Sequence, residues 1–496
     1  MNGDTPKATV SDRWHCEGIS MNYNLLEEKW MPVLYRNGQS DRVPIRRALE
    51  DAGWIRQIAA SNPMDRVAIL RFLLAVFYWC KGNPPDNANA AQCDSFPSDW
   101  FKKLDDHKEC FNLLGGGKRF YQSAESAKSV KKLSADYLVH EVPTGTNFWH
   151  FRHATDGVDG LCPPCCAMGL LRLPLFATSG GRGKPPGINA KPPIYLIPVG
   201  RSLAATLRLS WRGVSRLGTP AWEDPQIPLP TQGEVPLLTG LTWLPRRVWL
   251  DTPDEPEGNC ISCGGGGRLI RHCVFAGVGS TRTVEGRIGP TWHDPHVIYD
   301  QNSKGQVTSL HGSDALSTAD AAAGRWAKTL AGVVRYNQPP EGTIAWVVGF
   351  STVKNDKYLE ATECFFPFPR STEQIEPFIE RIQQWQRQSL DRRCRPKEKS
   401  SSRKHVEIPA ALAAIRPHVE NTVSASAGEL LAGADEAWEH AAREYRPMMQ
   451  IIAKSLSPGF TTAAVQRRQQ IAGVMPDMRQ PTQPNDKSSR QKGDAK

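Results

Sequence analysis

Hydrophobic and polar positions divide the chain into three regions of different character. Residues 63–80 are almost continuously apolar, and Asn62 and Pro63 supply the N-cap and first-turn residues of a helix. We therefore predict a buried helix over this segment. The middle, from about 110 to 300, is dense in Gly and Pro and predicts strands and irregular structure without long helices. Short apolar runs predict strands at 194–199, 247–250 and 343–350.

The spacing of apolar residues becomes helical from about Ser371 onward. Residues 371–480 predict a C-terminal bundle of about four helices. Residues 1–20 are polar and predict a disordered extension before a domain that starts at Met21, and 481–496 predict a disordered tail. Residues 21–370 then form a large, loop-rich mixed domain. The expected fold class is α+β.

Composition sets limits on the class of protein. The chain has 496 residues, enough for two or three domains, and a net charge of +10 that suits nucleic-acid contact at a few places. No run of 18 apolar residues predicts a membrane-spanning helix, and the N-terminus lacks the apolar core of a signal peptide. The 12 cysteines are irregularly spread, which favours a reducing cytoplasm over a disulfide framework.

Two Cys-x-x-Cys pairs predict a metal site. Cys162 and Cys165 form the first pair, and Cys260 and Cys263 form the second. Zinc favours a tetrahedron of thiolates, and each such turn brings two sulfur atoms to one ion. A complete set of four sulfurs leaves no open position, so the zinc would be structural. Chance pairing or one redox pair are the alternatives, and Cys166 is a spare thiol beside the first pair.

A glycine-rich basic loop lies between the cysteine pairs, at Gly180 to Lys184. It superficially suggests a nucleotide-binding P-loop, but Pro185 follows Lys184 where that motif requires Ser or Thr. Nucleotide hydrolysis is therefore not expected. The glycines allow the backbone to approach a polyanion closely, and Arg182 and Lys184 supply positive charge. An ordinary surface loop is the alternative.

Two further segments have the composition of nucleic-acid contacts. Residues 147–152 interleave aromatic side chains with histidine and arginine, as in base-stacking surfaces, or else form a core strand. Residues 353–358 follow a predicted strand and form a projecting polar hairpin tip, with an ordinary turn as the alternative.

Catalytic motifs are few. His293, Asp294 and His296 offer the ligand types of a zinc-dependent nuclease or phosphohydrolase, and this is the enzyme alternative that we carry forward. The second histidine and aspartate set that such a site needs is missing at helical spacing. A zinc scaffold without a nucleic-acid role is a third possibility. We expect the protein not to be an enzyme.

Taken in order, these segments resemble the large subunit of the type I-E CRISPR surveillance complex Cascade, the CasA family. The resemblance begins at Met21 and includes the cysteine pairs. It is most specific over 177–201, around the glycine loop. Other matching motifs are Asn24 to Val33, Phe120 to Gln122, Gly145 to Asn147, Leu244 to Arg247 and Trp292 to His296.

The resemblance implies roles for particular residues. In that family the glycine loop probes the minor groove at the protospacer-adjacent motif, a basic residue reaches the groove from a separate hairpin, and a wedge separates the first base pairs. The loop falls on Gly180, Gly181, Arg182, Gly183 and Lys184, the separate basic residue on Arg282, and the wedge on Lys354, Asn355, Asp356 and Lys357. Contact with the 5′ handle of the guide RNA falls on Asn147, Phe148, Trp149, His150, Phe151 and Arg152.

The resemblance also implies partners and a cofactor. The expected partners are guide RNA, target double-stranded DNA, the other Cascade subunits and a helicase–nuclease recruited after the R-loop forms. Family members carry the same paired cysteines, which supports a structural Zn²⁺. The minor groove presents a degenerate code, so such a reader should tolerate several related motifs.

Overall fold

The computed structural model describes residues 22–84, 95–125, 131–139, 160–177, 184–189, 193–278, 291–297, 299–301, 307–309, 343–353 and 357–367, together with position 462. Within these residues helices and small open sheets occur together, which confirms the mixed fold class. The predicted extension at 1–20 and the predicted tail at 481–496 lie outside the described residues, as does the predicted bundle at 371–480 apart from position 462.

Six α-helices lie in the described part of the chain. They are α1 (Ile45–Glu50), α2 (Pro63–Lys81), α3 (Lys103–Asp106), α4 (Pro163–Phe176), α5 (Leu203–Ser210) and α6 (Leu237–Thr242). Short 3₁₀ helices are Ser98–Phe101, Lys108–Phe111 and Ala135–Leu138. None of the helices described here is long and apolar enough to cross a membrane.

The strands of the described residues form sheets of two or three strands. They are β1 (Tyr23–Asn24), β2 (Met31–Tyr35), β3 (Ser40–Val43), β4 (Ile55–Ile58), β5 (Asn112–Leu114), β6 (Lys132–Ser134), β7 (Tyr195–Val199), β8 (Arg246–Leu250), β9 (Asp254–Asn259), β10 (Gly266–Leu269), β11 (His272–Gly277), β12 (Tyr299–Gln301), β13 (Val307–Ser309), β14 (Ile344–Val353) and β15 (Lys357–Pro367). The strand orders are β3-β2-β4, β6-β11-β8, β15-β14-β7, β1-β5, β10-β9 and β12-β13.

Helix α2 lies at the centre of the core. Its start follows from the sequence, because the Asn62 side chain accepts a hydrogen bond of 2.8 Å from the Met64 amide and Pro63 needs no amide partner in the first turn. The helix is buried on all sides and packs against α4, α5 and α6. Phe72 contacts the rings of Phe120 and Trp222 edge to face.

The predicted helix over 63–80 is confirmed by α2, and the predicted strands by β7, β8 and β14. The expectation that the middle holds no long helix is wrong, because α4 spans 14 residues and begins within the first cysteine pair. Pro163 and Pro164 occupy its first turn, where the backbone amides have no helical partner, so the prolines favour a helix start.

The chain divides into two compact units. The first comprises Met1–Ser313 and Glu341–Glu363, and the second comprises Asp314–Pro340 and Cys364–Lys496. All six described α-helices belong to the first unit. The domain boundary near residue 370 remains a prediction.

Candidate metal centre and glycine loop

Four cysteines from two distant segments converge on one point. Cys162 is the N-cap residue of α4 and Cys165 lies in its first turn, whereas Cys260 and Cys263 lie in the turn between β9 and β10. Their sulfur atoms all lie within 4.8 Å of one another. This cluster can bind a metal ion.

Backbone hydrogen bonds hold the two segments together. The amide of Leu161 donates to the carbonyl of Ile270 at 3.0 Å, and the amide of Ile270 donates back at 2.9 Å. The Ile261 amide donates to the Gly160 carbonyl at 3.1 Å. Gly160 is required there, because a Cβ would lie less than 3.0 Å from the carbonyl oxygen of Ile270. Backbone hydrogen bonds therefore fix the two cysteine-bearing segments relative to each other.

The donor set fits a tetrahedral thiolate site. The pKa of Cys260 is lowered to about 6, chiefly by hydrogen bonds from Cys162 and Cys165, and the pKa of Cys263 is lowered well below its ordinary value, first by Cys162. Hydrogen bonds to the other cysteines and burial raise the pKa values of Cys162 and Cys165, so these two act as the thiol donors until an ion replaces their protons. Thiolates are the form that binds a metal. Cys162, Cys165 and Cys260 are buried, and Cys263 is exposed at the rim.

Cys166 is not part of this cluster. Its sulfur atom faces the carbonyl oxygen of Leu161 at 4.0 Å, and burial raises the pKa of its thiol. The spare thiol beside the first pair is thus a core residue.

Arg42 of β3 lies against the cluster. Burial alone would lower the pKa of its guanidinium, but the negative charge of Cys263, Cys162 and Cys165 and a hydrogen bond to Cys263 raise it overall. A site of four thiolates and one divalent ion carries a net charge of −2, so a neighbouring cation stabilises it. Sequence reasoning missed Arg42, which lies far from both cysteine pairs along the chain.

The glycine loop enters the described residues only at its end. Gly180, Gly181, Arg182 and Gly183 lie outside them, whereas Lys184 is described and half-buried. Residues 185–189 follow the loop, and we call them the stem. The stem is fixed by a backbone hydrogen bond, since the Gly187 amide donates to the Ala177 carbonyl at 2.7 Å. The residues that flank the predicted loop, Ala177 and Gly187, therefore lie together at the C-terminus of α4.

The other residues predicted to contact nucleic acid lie almost entirely outside the described residues. These are Asn147, Phe148, Trp149, His150, Phe151, Arg152, Arg282, Lys354, Asn355 and Asp356. Lys357 is the first residue of β15, which neighbours β14 in a sheet with β7. The predicted wedge thus falls between two adjacent strands.

The arrangement around Asp294 argues against the enzyme alternative. Asp294 forms a buried ion pair with Arg71, and it also accepts hydrogen bonds from the His296 amide and from the Asn189 side chain, both at 3.0 Å. Burial raises the pKa of Asp294, but the charge and hydrogen bond of Arg71 and the hydrogen bond from Asn189 act against it, and the net shift is downward. Both carboxylate oxygens are therefore occupied by protein donors.

His296 is likewise engaged inside the protein. Its Nε2 atom lies 2.8 Å from the Ser210 hydroxyl, and burial lowers its pKa to about 3. His293 is exposed and is not brought into a metal-binding group with Asp294 and His296 in the described part of the chain. Asp294 and His296 therefore belong to a buried polar network, in which both carboxylate oxygens and the His296 Nε2 atom have protein partners. Sequence reasoning missed Arg71, although an arginine in the middle of the apolar run of α2 was the signal for a buried partner.

Comparison with known proteins gives a consistent result. The sequence profile of the CRISPR-associated protein Cse1 matches residues 24–392, which is 369 of the 496 residues. None of the curated proteins compared with the chain matches it.

Solved structures show the same fold at low identity. The crystal structure of the CRISPR-associated protein Cse1 from Acidimicrobium ferrooxidans is 17% identical, with a TM-score of 0.64, and covers 92% of this chain and 98% of its own. The CasA protein of Thermus thermophilus is 19% identical, with a TM-score of 0.60, and covers 91% and 98%. A chain of a CRISPR RNA-guided surveillance complex is 14% identical, with a TM-score of 0.59, and covers 91% and 99%.

Proposed function

Because the chain belongs to the CRISPR-associated protein Cse1 family, we propose that it is the non-catalytic large subunit of a type I-E Cascade complex. The observation that carries the proposal is the family match over residues 24–392. A chain of the same fold belongs to a CRISPR RNA-guided surveillance complex, which supports assembly with guide RNA and other subunits. The protein would act in the cytoplasm, where such complexes meet invading DNA.

The first task of the subunit is to read the protospacer-adjacent motif. In RNA-guided recognition the protein reads only this short motif, and base pairing reads the remaining sequence. The loop from Gly180 to Lys184 would enter the minor groove, and Arg282 would add a second contact. Glycines allow the close backbone approach, and Arg182 and Lys184 would neutralise phosphates.

The second task is to open the duplex. The wedge at Lys354, Asn355, Asp356 and Lys357 would insert beside the motif and separate the first base pairs. Its place between two neighbouring strands, β14 and β15, suits a projecting hairpin. Because the exchange of DNA pairing for RNA pairing is nearly balanced in free energy, a few protein contacts suffice to start the R-loop.

The remaining partners follow from the family. Residues 147–152 would contact the 5′ handle of the guide RNA through stacked aromatic side chains. The assembled complex would then recruit a helicase–nuclease, which degrades the target. The subunit itself would contribute no catalytic group, in keeping with the occupied oxygens of Asp294.

Structural Zn²⁺ fits the four cysteines best. Zinc favours four ligands of this type in a tetrahedron, and the convergent sulfur atoms of Cys162, Cys165, Cys260 and Cys263 supply them. When bound, the ion would contribute folding free energy and no catalysis. It would join the start of α4 to the turn between β9 and β10.

The test is motif-dependent DNA binding by the assembled complex. We expect Gly181→Asp to weaken binding to a motif-bearing duplex by more than about tenfold, because a carboxylate at the groove repels phosphate. Gly116→Asp is the matched control, since Gly116 lies in a second glycine-rich turn where a Cβ meets nothing within 4 Å. Equal affinities for Gly181→Asp and the unaltered protein would refute the assignment of the loop.

A further inference from the structure

The stem after the glycine loop is held by the end of α4. The amide of Gly187 donates to the Ala177 carbonyl at 2.7 Å, and the amide of Ile188 donates to the Pro174 carbonyl at 3.0 Å. Carbonyls at a helix C-terminus lack intrahelical donors, so the stem satisfies them. A Cβ at Gly187 would lie 2.7 Å from the Leu175 carbonyl oxygen, which leaves room only for glycine.

A second anchor is Asp294. The Asn189 side chain donates to Asp294 Oδ2 at 3.0 Å, while Oδ1 accepts from the His296 amide and from Arg71 of α2. Asp294 and Arg71 are both almost completely buried. The Asn189 side chain satisfies the carboxylate oxygen that Arg71 does not contact, so the Asn189 hydrogen bond and the ion pair support one another.

A third anchor is Arg246 at the start of β8. Its Nη1 atom donates to the carbonyl of Pro185 and, at 2.7 Å, to the carbonyl of Pro245. Arg246 is buried, which lowers its pKa to about 10. Pro185 and Pro186 have no amide hydrogen, so they cannot donate to a neighbouring strand. The hydrogen bond from Arg246 to the Pro185 carbonyl therefore fixes this part of the stem.

We propose that Asp294 and Arg246 are positioning residues that hold the stem of the glycine loop, through Asn189 and Pro185, in the orientation that reads DNA. This inference rests on the proposed function of the loop. It assigns a role to two sequence motifs, Leu244 to Arg247 and Trp292 to His296, that lie far from the loop along the chain. A loop held before binding loses less conformational entropy on entering the groove, so both affinity and discrimination improve.

The decisive variant is Asn189→Ala in the assembled complex. Asn189 is half-buried and the change leaves the Arg71–Asp294 pair intact, so folding should be preserved. We expect amide hydrogen exchange at Gly187 and Ile188 to accelerate about tenfold, as the loss of one hydrogen bond to a charged group predicts. Affinity for a motif-bearing duplex should fall about tenfold, while affinity for a duplex with a scrambled motif stays within about twofold.

Asn83→Ala is the matched control. Asn83 is exposed and also tethers a loop, donating to the Val214 carbonyl at 2.8 Å, but it lies just beyond the end of α2. Its replacement should change neither the exchange at Gly187 nor motif discrimination. A merely structural role for Asn189 would lower thermal stability and both DNA affinities together, which would overturn the proposal.

Arg246→Met tests the other anchor independently. We expect the same loss of discrimination between motif-bearing and scrambled duplexes, even where thermal stability also falls. Unchanged discrimination in both Asn189→Ala and Arg246→Met overturns the positioning role. If Gly181→Asp still cripples binding in that case, only the positioning role fails. If Gly181→Asp also has no effect, the proposed function of the loop itself is wrong.

Discussion

The sulfur atoms of Cys162 and Cys263 lie 3.6 Å apart, although 101 positions separate the two residues in the sequence. Four sulfurs around a zinc ion, each at about 2.3 Å, form a tetrahedron with edges of about 3.8 Å. The pair therefore already has the separation that a bound ion requires. An ion at this point would join two segments that backbone hydrogen bonds already hold together.

Replacement of one ligand should remove metal and stability together. We expect Cys260→Ser to lose the bound ion and to lower the free energy of unfolding by about 3 kcal/mol or more, because structural zinc contributes directly to folding. Plasma mass spectrometry and urea unfolding of the full chain measure the two effects. Cys166→Ala is the control, since its sulfur faces the Leu161 carbonyl. Equimolar zinc in Cys260→Ser would remove Cys260 from the ligand set.

Loss of the cation beside the cluster should weaken metal binding without removing a ligand. Arg42 donates a hydrogen bond to Cys263 and faces the charge of the cluster. We expect Arg42→Met to lower zinc affinity by about 10- to 100-fold, the usual effect of altering a group that contacts metal ligands. Competition with a chromophoric chelator measures the affinity. Arg36→Met, at an exposed position between β2 and β3, should leave it unchanged. Equal affinities for the two variants would contradict this role.

A close contact between α6 and Trp292 gives a prediction on packing. A Cβ at Gly240 would lie less than 3.0 Å from Cζ3 of the Trp292 ring. Alanine improves helix propensity by about 1 kcal/mol, but overpacking costs up to about 3 kcal/mol, so we expect Gly240→Ala to destabilise the protein by up to about 2 kcal/mol. Urea unfolding measures the change. Gly213→Ala, where a Cβ meets nothing within 4 Å, is the control, and equal stabilities would show that the ring simply moves aside.

Local signals account for what the sequence predicted well. Helix α2 follows from Asn62, Pro63 and an apolar run, because a helix start depends on neighbouring residues. The proximity of the two thiols within each pair follows from its short spacing, and the preference of zinc for four ligands predicted that the two pairs meet. The sequence does not predict helix α4 for a specific reason: the segment from Cys162 to Cys165 also matches a metal-binding turn, and Pro163 and Pro164 fit such a turn as well as a helix start.

Long-range pairs account for what the sequence could not predict. Arg71 and Asp294 are 223 positions apart, and only tertiary structure brings them together. The same holds for Arg42 beside Cys263. His293, Asp294 and His296 suggested a catalytic metal site because they are of the residue types that bind a catalytic metal. The buried environment of Asp294 argues against such a site, since both of its carboxylate oxygens accept hydrogen bonds from protein groups.

Burial of His296 should make the stability of the protein depend on pH. Its pKa is lowered to about 3, first by burial and then by the charge of Arg71, although Asp294 opposes the shift. The unfolded chain binds this proton near pH 6.5, whereas the folded protein does not until about pH 3. The stabilisation is therefore complete above pH 6.5 and is lost as the pH falls toward 3.

The decrease in the free energy of unfolding with falling pH should correspond to the uptake of one proton on unfolding. Between pH 6.5 and 5 we expect the free energy of unfolding to fall by up to about 2 kcal/mol, at a limiting slope of about 1.4 kcal/mol per pH unit. His296→Gln keeps a side chain that can hydrogen bond to Ser210 and should remove this part of the slope. His272→Gln is the control, because His272 is exposed on β11. Urea unfolding across this range measures the slopes. An unchanged slope in His296→Gln would mean that His296 is protonated in the folded protein, and its 2.8 Å contact with the Ser210 hydroxyl would then join a charged ring to that oxygen.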